Sequence, residues 1–325
     1  MLFIFFFAIL GGKFSYTEAW GAVGHSIIVR LAQDQLTNAT ADWLQSLVPW
    51  HFRGNLSAMA SWADSIIHEN SNPTGFINWE WSKKLHYINV PDGSCIYQVD
   101  RDCENNTCID GAIRNYTERL EKNLDLAQQQ EALYFLVHFV GDIHQPFHTA
   151  LKSDYGGNTI KVRFMNGRVT SLHSLWDSGI IQYRIQTDFQ SNVNKYYEYI
   201  HQLMLREPIL NSDDDIQEWI RENLKLVCNQ LYFDGNNQTM DVTKTHNLNE
   251  TYYMRSRPII EKHLALAGRR LGTILNRIAQ ARARQFLLST SLSPVVYILI
   301  AVGSVIIMLI VTLVVFLCIR NRKKR

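Results

Sequence analysis

Residues 131–148 read EALYFLVHFVGDIHQPFH. From Ala132 to Val140 this run offers a helix almost no polar stripe, and Pro146 stops it. A helix that is apolar nearly all round has to be buried, so other elements must cover it. Yet the same stretch carries His138, Asp142, His144 and His148. Buried imidazoles and a buried carboxylate need partners, because an unsatisfied polar group costs about 1–3 kcal/mol.

The flanking periodicity is also helical. HSIIVRLAQDQL places Ile27, Ile28, Leu31 and Ala32 on one face, which Leu36 continues. SLHSLWDSGIIQYRI reads as a further helix. IIEKHLALAGRRLGTILNRIAQ repeats Ile260, Leu264, Ala267, Leu271, Ile274 and Ile278 at helical spacing. Only NTIKVRF, after Gly156 and Gly157, alternates like a strand. The expectation is a mainly α fold: a single helical domain with a small β element, without internal repeats.

The 325 residues are 46% hydrophobic with a net charge of +2. That supports a sizeable core and excludes a polybasic grip on long nucleic acid. LFIFFFAIL at 2–10 is too short to span a bilayer and reads as a signal peptide, residues 1–19, although it lacks a basic n-region. Thr17 and Ala19 then precede a cut before Trp20. Residues 295–319 are uncharged and are followed by RNRKKR at 320–325. By length this run reads as a transmembrane helix with a cytoplasmic tail, and 280–294 as a stalk. The expected protein is a single-pass type I membrane protein with its body, 20–279, facing the outside or an organelle lumen. N-x-S/T acceptors at Asn38, Asn55, Asn105, Asn115, Asn237 and Asn249 fit that compartment. So does an even count of cysteines in the body: Cys95, Cys103, Cys108 and Cys228. Cys103 and Cys108 can close a tight loop, which would leave Cys95 to reach Cys228.

Helical spacing carries the chemistry. His138 and Asp142 are four apart and project from one face, as do His173 and Asp177. His148 lies just past the break at Pro146, where the chain can turn back. An isolated H-x-x-x-D is common, but two such pairs with His148 form a donor set that suits zinc. Calcium would want mainly oxygen ligands. His144, two after Asp142, points elsewhere and belongs behind the ligands or at the surface.

HFVGDIHQPFH, GGNTIKVRF and LHSLWD together resemble the S1/P1 nuclease family of zinc-dependent secreted nucleases. WGAVGH at 20–25, SWAD at 61–64, WSKKLHYINVPDG at 81–93 and the cysteine spacing extend the resemblance to about Ile278. It implies the helical fold of the phospholipase C/P1 nuclease type and three zinc ions per chain. Asp64, His86, His138 and Asp142 resemble the ligands of the first zinc. His148, His173 and Asp177 resemble those of the second, and Trp20 and His25, with Asp142 bridging, those of the third. Trp20 would contribute its α-amino nitrogen and carbonyl oxygen, an amine that exists only after cleavage before Trp20. Water activated between zincs would attack phosphorus. Tyr87 would stack on a base, Asn89 would contact its edge, and Asn158 would bond a phosphate oxygen, with Gly156 and Gly157 permitting close approach. Two positions depart from the family: members often have an acidic residue where this chain has Asn89, and some a basic one where it has Ile67.

The implied activity is hydrolysis of single-stranded RNA and DNA to 5′-nucleotides, with 3′-nucleotidase activity. The expected partners are those substrates and a membrane, through the C-terminal helix, with no obligate protein partner. Two alternatives stand beside it: a zinc phospholipase C on the same fold, and a catalytically silent surface glycoprotein.

Overall fold

The computed structural model describes residues 20–67, 79–122, 124–208, 215–290, 299 and 302–312. Contacts divide the chain into two units, Met1–Ala279 and Gln280–Arg325.

The first unit is mainly helical and is built around the segment that the sequence marks as buried. Helices α1 (Gly21–Gln33), α2 (Asn38–Leu47) and α3 (Trp62–Ile67) precede α4 (Ile109–Glu121) and α5 (Leu126–Asp142). Then follow α6 (Ile180–Asp188), α7 (Val193–Arg206), α8 (Ile216–Leu226) and α9 (Glu250–Thr290). The Asp125 carboxylate opens α5 by accepting from Gln128 N at 2.9 Å, satisfying one free amide of the first turn. Every residue from Ala132 to Ala150 is buried. Neighbours cover α5 on all sides. Tyr116 of α4 stacks on Phe135 with centroids 4.8 Å apart. Trp62 of α3 stacks on Tyr134 at 4.5 Å. Asn223 of α8 donates to Ile143 O at 2.6 Å, and His263 of α9 donates to His144 O at 2.8 Å. Phe135 and Phe139 are fully buried, each worth roughly 1.5–3 kcal/mol relative to exposure.

Two features depart from the helical reading. The segment expected as one helix over 171–185 contains a wide π turn, Leu175–Gly179, between the turn Leu172–Ser174 and α6. Single π turns inside helices are frequent at functional sites, and this one contains Asp177. Among the described residues there are also five short strands where the sequence shows one: β1 (Ile88–Val90), β2 (Thr149–Leu151), β3 (Lys161–Phe164), β4 (Val169–Ser171) and β5 (His246–Leu248). β1 and β2 pair in parallel with Ile88 opposite Thr149, and the second sheet runs β4-β3-β5. Strands of three or four residues are too short to display alternation. The disulfides are Cys95–Cys228 and Cys103–Cys108.

The single-pass membrane expectation is corrected. Among the described residues no helix is long and apolar enough to cross a membrane. Of 295–319, residues 299 and 302–312 are described and are helical. α9 has the length, but Arg269, Arg270, Arg277, Arg282 and Arg284 interrupt it. The sequence criterion counts consecutive apolar residues, whereas a span requires one continuous apolar helix. The rest of 295–319, the tail 320–325 and the leader 1–19 lie outside the described residues, as do stalk residues 291–294. Stalk residues 280–290 are helical. The expected membrane contact through the C-terminal helix is withdrawn with it.

Candidate metal centre

Three groups of donors converge in the first unit: His25, His138 and Asp142; Asp64, His86 and His138; and His148, His173 and Asp177. Within each group the donor atoms lie within 4.8 Å of one another, and all are buried. α5 supplies the shared members. Its four-residue spacing points His138 and Asp142 the same way, with His138 Nε2 3.2 Å from Asp142 Oδ2. α1 brings His25 against them, its ring stacked on His138 at 4.1 Å and Nε2 3.2 Å from Asp142 Oδ1. That approach needs a bare α-carbon at Gly141, where a Cβ would lie 2.5 Å from His25 Nδ1. α3 contributes Asp64, 3.3 Å from His138 Nε2. The 3-10 segment Glu80–His86 delivers His86, whose Nδ1 lies 2.9 Å from Asp142 Oδ2. Trp20 is fully buried beside α5, its indole donating to Gly141 O at 2.8 Å.

The polar atoms of this site are not satisfied among themselves. His25 Nδ1 and Nε2, His86 Nε2, His138 Nε2, Asp64 Oδ2, Asp142 Oδ1 and Asp177 Oδ2 are buried and make no hydrogen bond. Native interiors pair nearly all buried polar atoms, so this concentration marks a place for a bound cation. Backbone carbonyls fix the tautomers. His138 donates from Nδ1 to Ala60 O at 2.8 Å, His148 to His86 O at 2.7 Å, and His173 to Gly156 O at 2.7 Å. Each Nε2 is thereby left with its lone pair facing inward, the arrangement that metal-binding histidines use. His148 Nε2 and His173 Nε2 stand only 3.2 Å apart. Two lone pairs repel at that distance unless a positive charge lies between them. The set of imidazoles and carboxylates fits zinc.

The electrostatics point the same way. With protons alone to balance the carboxylates, burial pulls His138 down, but Asp142 and Asp64 outweigh it and hold it well above its ordinary value. His148 is pulled down by burial and lifted by Asp142 and Asp177, to about 9. Burial works against the charged form of Asp142, yet His138 and His148 hold its carboxyl well below the usual range. His25 and His173 are lowered, chiefly by burial. Positive charge is therefore favoured at the centre and can be supplied by protons or by metal, which compete.

Sequence reasoning missed the supporting residues. Gln145, fully buried, donates to Asp177 Oδ1 at 2.6 Å and accepts from Phe147 N at 2.7 Å. Its place inside HQPFH is the only signal it gives. Gly156 and Gly157 also support the site. Their amides are already used, donating to Leu151 O at 3.0 Å and Asp154 Oδ1 at 2.7 Å. The close approach they permit is to Phe147: a Cβ on Gly156, at φ 65°, would lie 2.3 Å from Phe147 O. Gly156→Ala is expected to cost at least about 1–3 kcal/mol for the left-handed backbone alone and to weaken metal retention. Urea unfolding with an unchanged midpoint would contradict this.

Of the remaining predicted residues, Tyr87 and Asn89 alternate with buried Ile88 and so share the outer face of the β1 region, next to His86. Tyr87 is 38% exposed and Asn89 half-buried. Asn158 is exposed, its side-chain amide donating to Tyr155 O at 2.8 Å. Ile67 packs against the core. His144 joins none of the three groups. It is buried, donates to Val140 O at 2.7 Å and accepts from Arg270 at 3.0 Å. The six N-x-S/T asparagines are all exposed.

A family model described as S1/P1 Nuclease matches residues 20–280. Endonuclease 2 of Arabidopsis thaliana is 36% identical over 278 residues, covering 80% of this chain and 91% of that protein. Nuclease P1 of Penicillium citrinum is 30% identical over 280 residues, covering 80% and 97%. Nuclease S1 of Aspergillus oryzae is 29% identical over 285 residues, covering 81% and 93%.

Proposed function

The chain belongs to the S1/P1 nuclease family and is a nuclease, and from that premise we propose the particulars of its reaction. It hydrolyses single-stranded RNA and DNA to 5′-nucleotides and removes the phosphate of 3′-nucleotides. The observation that carries this reading is the convergence of three buried donor groups, two of them sharing His138, with inward-facing atoms that lack hydrogen bonds.

We assign three zinc ions to these groups. Asp64, His86, His138 and Asp142 hold the first. His148, His173 and Asp177 hold the second. His25 and Asp142 hold the third, with the amine and carbonyl of a chain that begins at Trp20. Bound zinc supplies Lewis-acid polarisation of a phosphoryl oxygen and lowers the pKa of water. The chain's own residues do the rest. Asp142 turns one oxygen toward His25 and the other toward His86 and His138, aligning two groups on one carboxylate. The carbonyls of Ala60, His86 and Gly156 keep the imidazoles from rotating. Tyr87 offers an exposed ring beside His86 for an unstacked base, worth roughly 1–3 kcal/mol and tolerant of sequence. Asn89, on the same face, meets the base edge. Asn158, exposed after the glycine turn, bonds a phosphate oxygen. A duplex buries the base faces that Tyr87 needs, so single strands are preferred.

Zinc-loaded protein is expected to cut single-stranded RNA and DNA faster than duplex, leaving 5′-phosphates, to lose activity with a chelator and to regain it with zinc. Cleavage of phosphatidylcholine without cleavage of nucleic acid would instead assign a phospholipase.

A further inference from the structure

The Gly156 carbonyl is presented to His173 by a turn whose neighbouring groups are bonded, Gly156 N to Leu151 O at 3.0 Å and His173 N to Gly157 O at 3.3 Å, which leaves the peptide unit between the two glycines to be fixed. Tyr155, Gly156 and Gly157 have φ angles of 53°, 65° and 78°, three successive residues in the left-handed region. With no Cβ on either glycine, the peptide unit between them meets little steric resistance to flipping. That single unit carries both relevant groups. Its C=O accepts from His173 Nδ1 at 2.7 Å, and its N–H donates to Asp154 Oδ1 at 2.7 Å. A trans peptide is a rigid plate with these groups pointing in opposite directions, so gripping one side aims the other. Asp154 is 5% exposed, and its Oδ1 also accepts the Tyr232 hydroxyl at 3.0 Å. Its own carbonyl accepts from Thr159 N at 3.2 Å. Asp154 belongs to none of the three donor groups.

We infer that Asp154 is a positioning residue for the second metal site: gripping the Gly156–Gly157 peptide, it holds His173 in the Nδ1–H tautomer with Nε2 free for metal. Tyr232 anchors the carboxylate. It follows the turn Val227–Leu231, which contains Cys228 and is tied by the disulfide to Cys95. The metal half of this inference rests on the zinc reading above; the tautomer half does not.

Nitrogen NMR of histidine-labelled, metal-free protein, with zinc titration of the same samples, separates the two. Asp154→Ala is expected to convert the His173 signal from Nδ1–H to a tautomer mixture and to weaken zinc at that site ~10–100-fold, the usual cost of removing a partner behind a ligand. Asp154→Asn keeps an oxygen acceptor in place and should stay close to wild type. Asp154→Glu keeps the charge but displaces the oxygen and should behave like alanine; it carries the test if the alanine variant does not fold. An unchanged tautomer and zinc affinity in the alanine or glutamate variant overturns the inference. So does an asparagine variant as defective as alanine. A tautomer change with no zinc deficit supports the clamp and overturns the metal assignment of His148, His173 and Asp177.

Discussion

Replacing Asp142 by asparagine is expected to remove nearly all nuclease activity while leaving the fold intact. No other side chain in the centre meets so many ligands: Oδ1 lies 3.2 Å from His25 Nε2, and Oδ2 lies 2.9 Å from His86 Nδ1 and 3.2 Å from His138 Nε2. Asparagine matches its volume but removes the negative charge and turns an N–H₂ group toward imidazole nitrogens. The proposed first and third zinc sites lose their common ligand, while His148, His173 and Asp177 are unchanged. The loss in kcat/KM should therefore exceed the ~10–100-fold typical of residues behind a ligand. Zinc retained after dialysis should fall without reaching zero. Wild-type zinc content and activity in the folded variant would remove Asp142 from the metal assignment.

A protein that begins one residue before Trp20 is expected to fold normally and to be nearly inactive. The anchor of Trp20 is its indole, buried and bonded to Gly141 O, so extra backbone ahead of it leaves that contact alone. The anchored residue sits against the helix one position before Asp142, where the proposed third zinc needs the free amine. An amide nitrogen has no available lone pair and cannot replace it. The loss should be on the order of 100-fold or more, with less zinc bound, by comparison with the cost of weaker disturbances around metal ligands. The comparison requires protein starting at Trp20 and protein starting with one added alanine, matched in melting temperature. Equal kcat/KM and equal zinc would refute the amine's role.

Helical spacing is local geometry, and it made half of this centre legible in the sequence. His138 with Asp142, and His173 with Asp177, share a face because 3.6 residues make a turn. The wide turn Leu175–Gly179 shows how far such reasoning reaches, since it lies within a segment that the sequence presents as plain helix, although His173 and Asp177 still meet at 3.4 Å. The four unanticipated strands are three residues long and show no period. At the C-terminus, a run of apolar residues was read as a membrane span, whereas among the described residues no helix is long and apolar enough to cross a membrane.

By itself, then, the sequence determined a buried helix carrying paired ligands, because apolar periodicity and ligand spacing are properties of a single element. His148 joined them through its place just past the break at Pro146, whereas His25, Asp64 and His86 could be assigned beforehand only through resemblance to a family. Tertiary structure alone decided that α1, α3 and the turn at His86 meet α5, and that the carbonyls of Ala60, His86 and Gly156 orient the rings. Those contacts join residues far apart in the chain, and only packing of the whole domain brings them to one point.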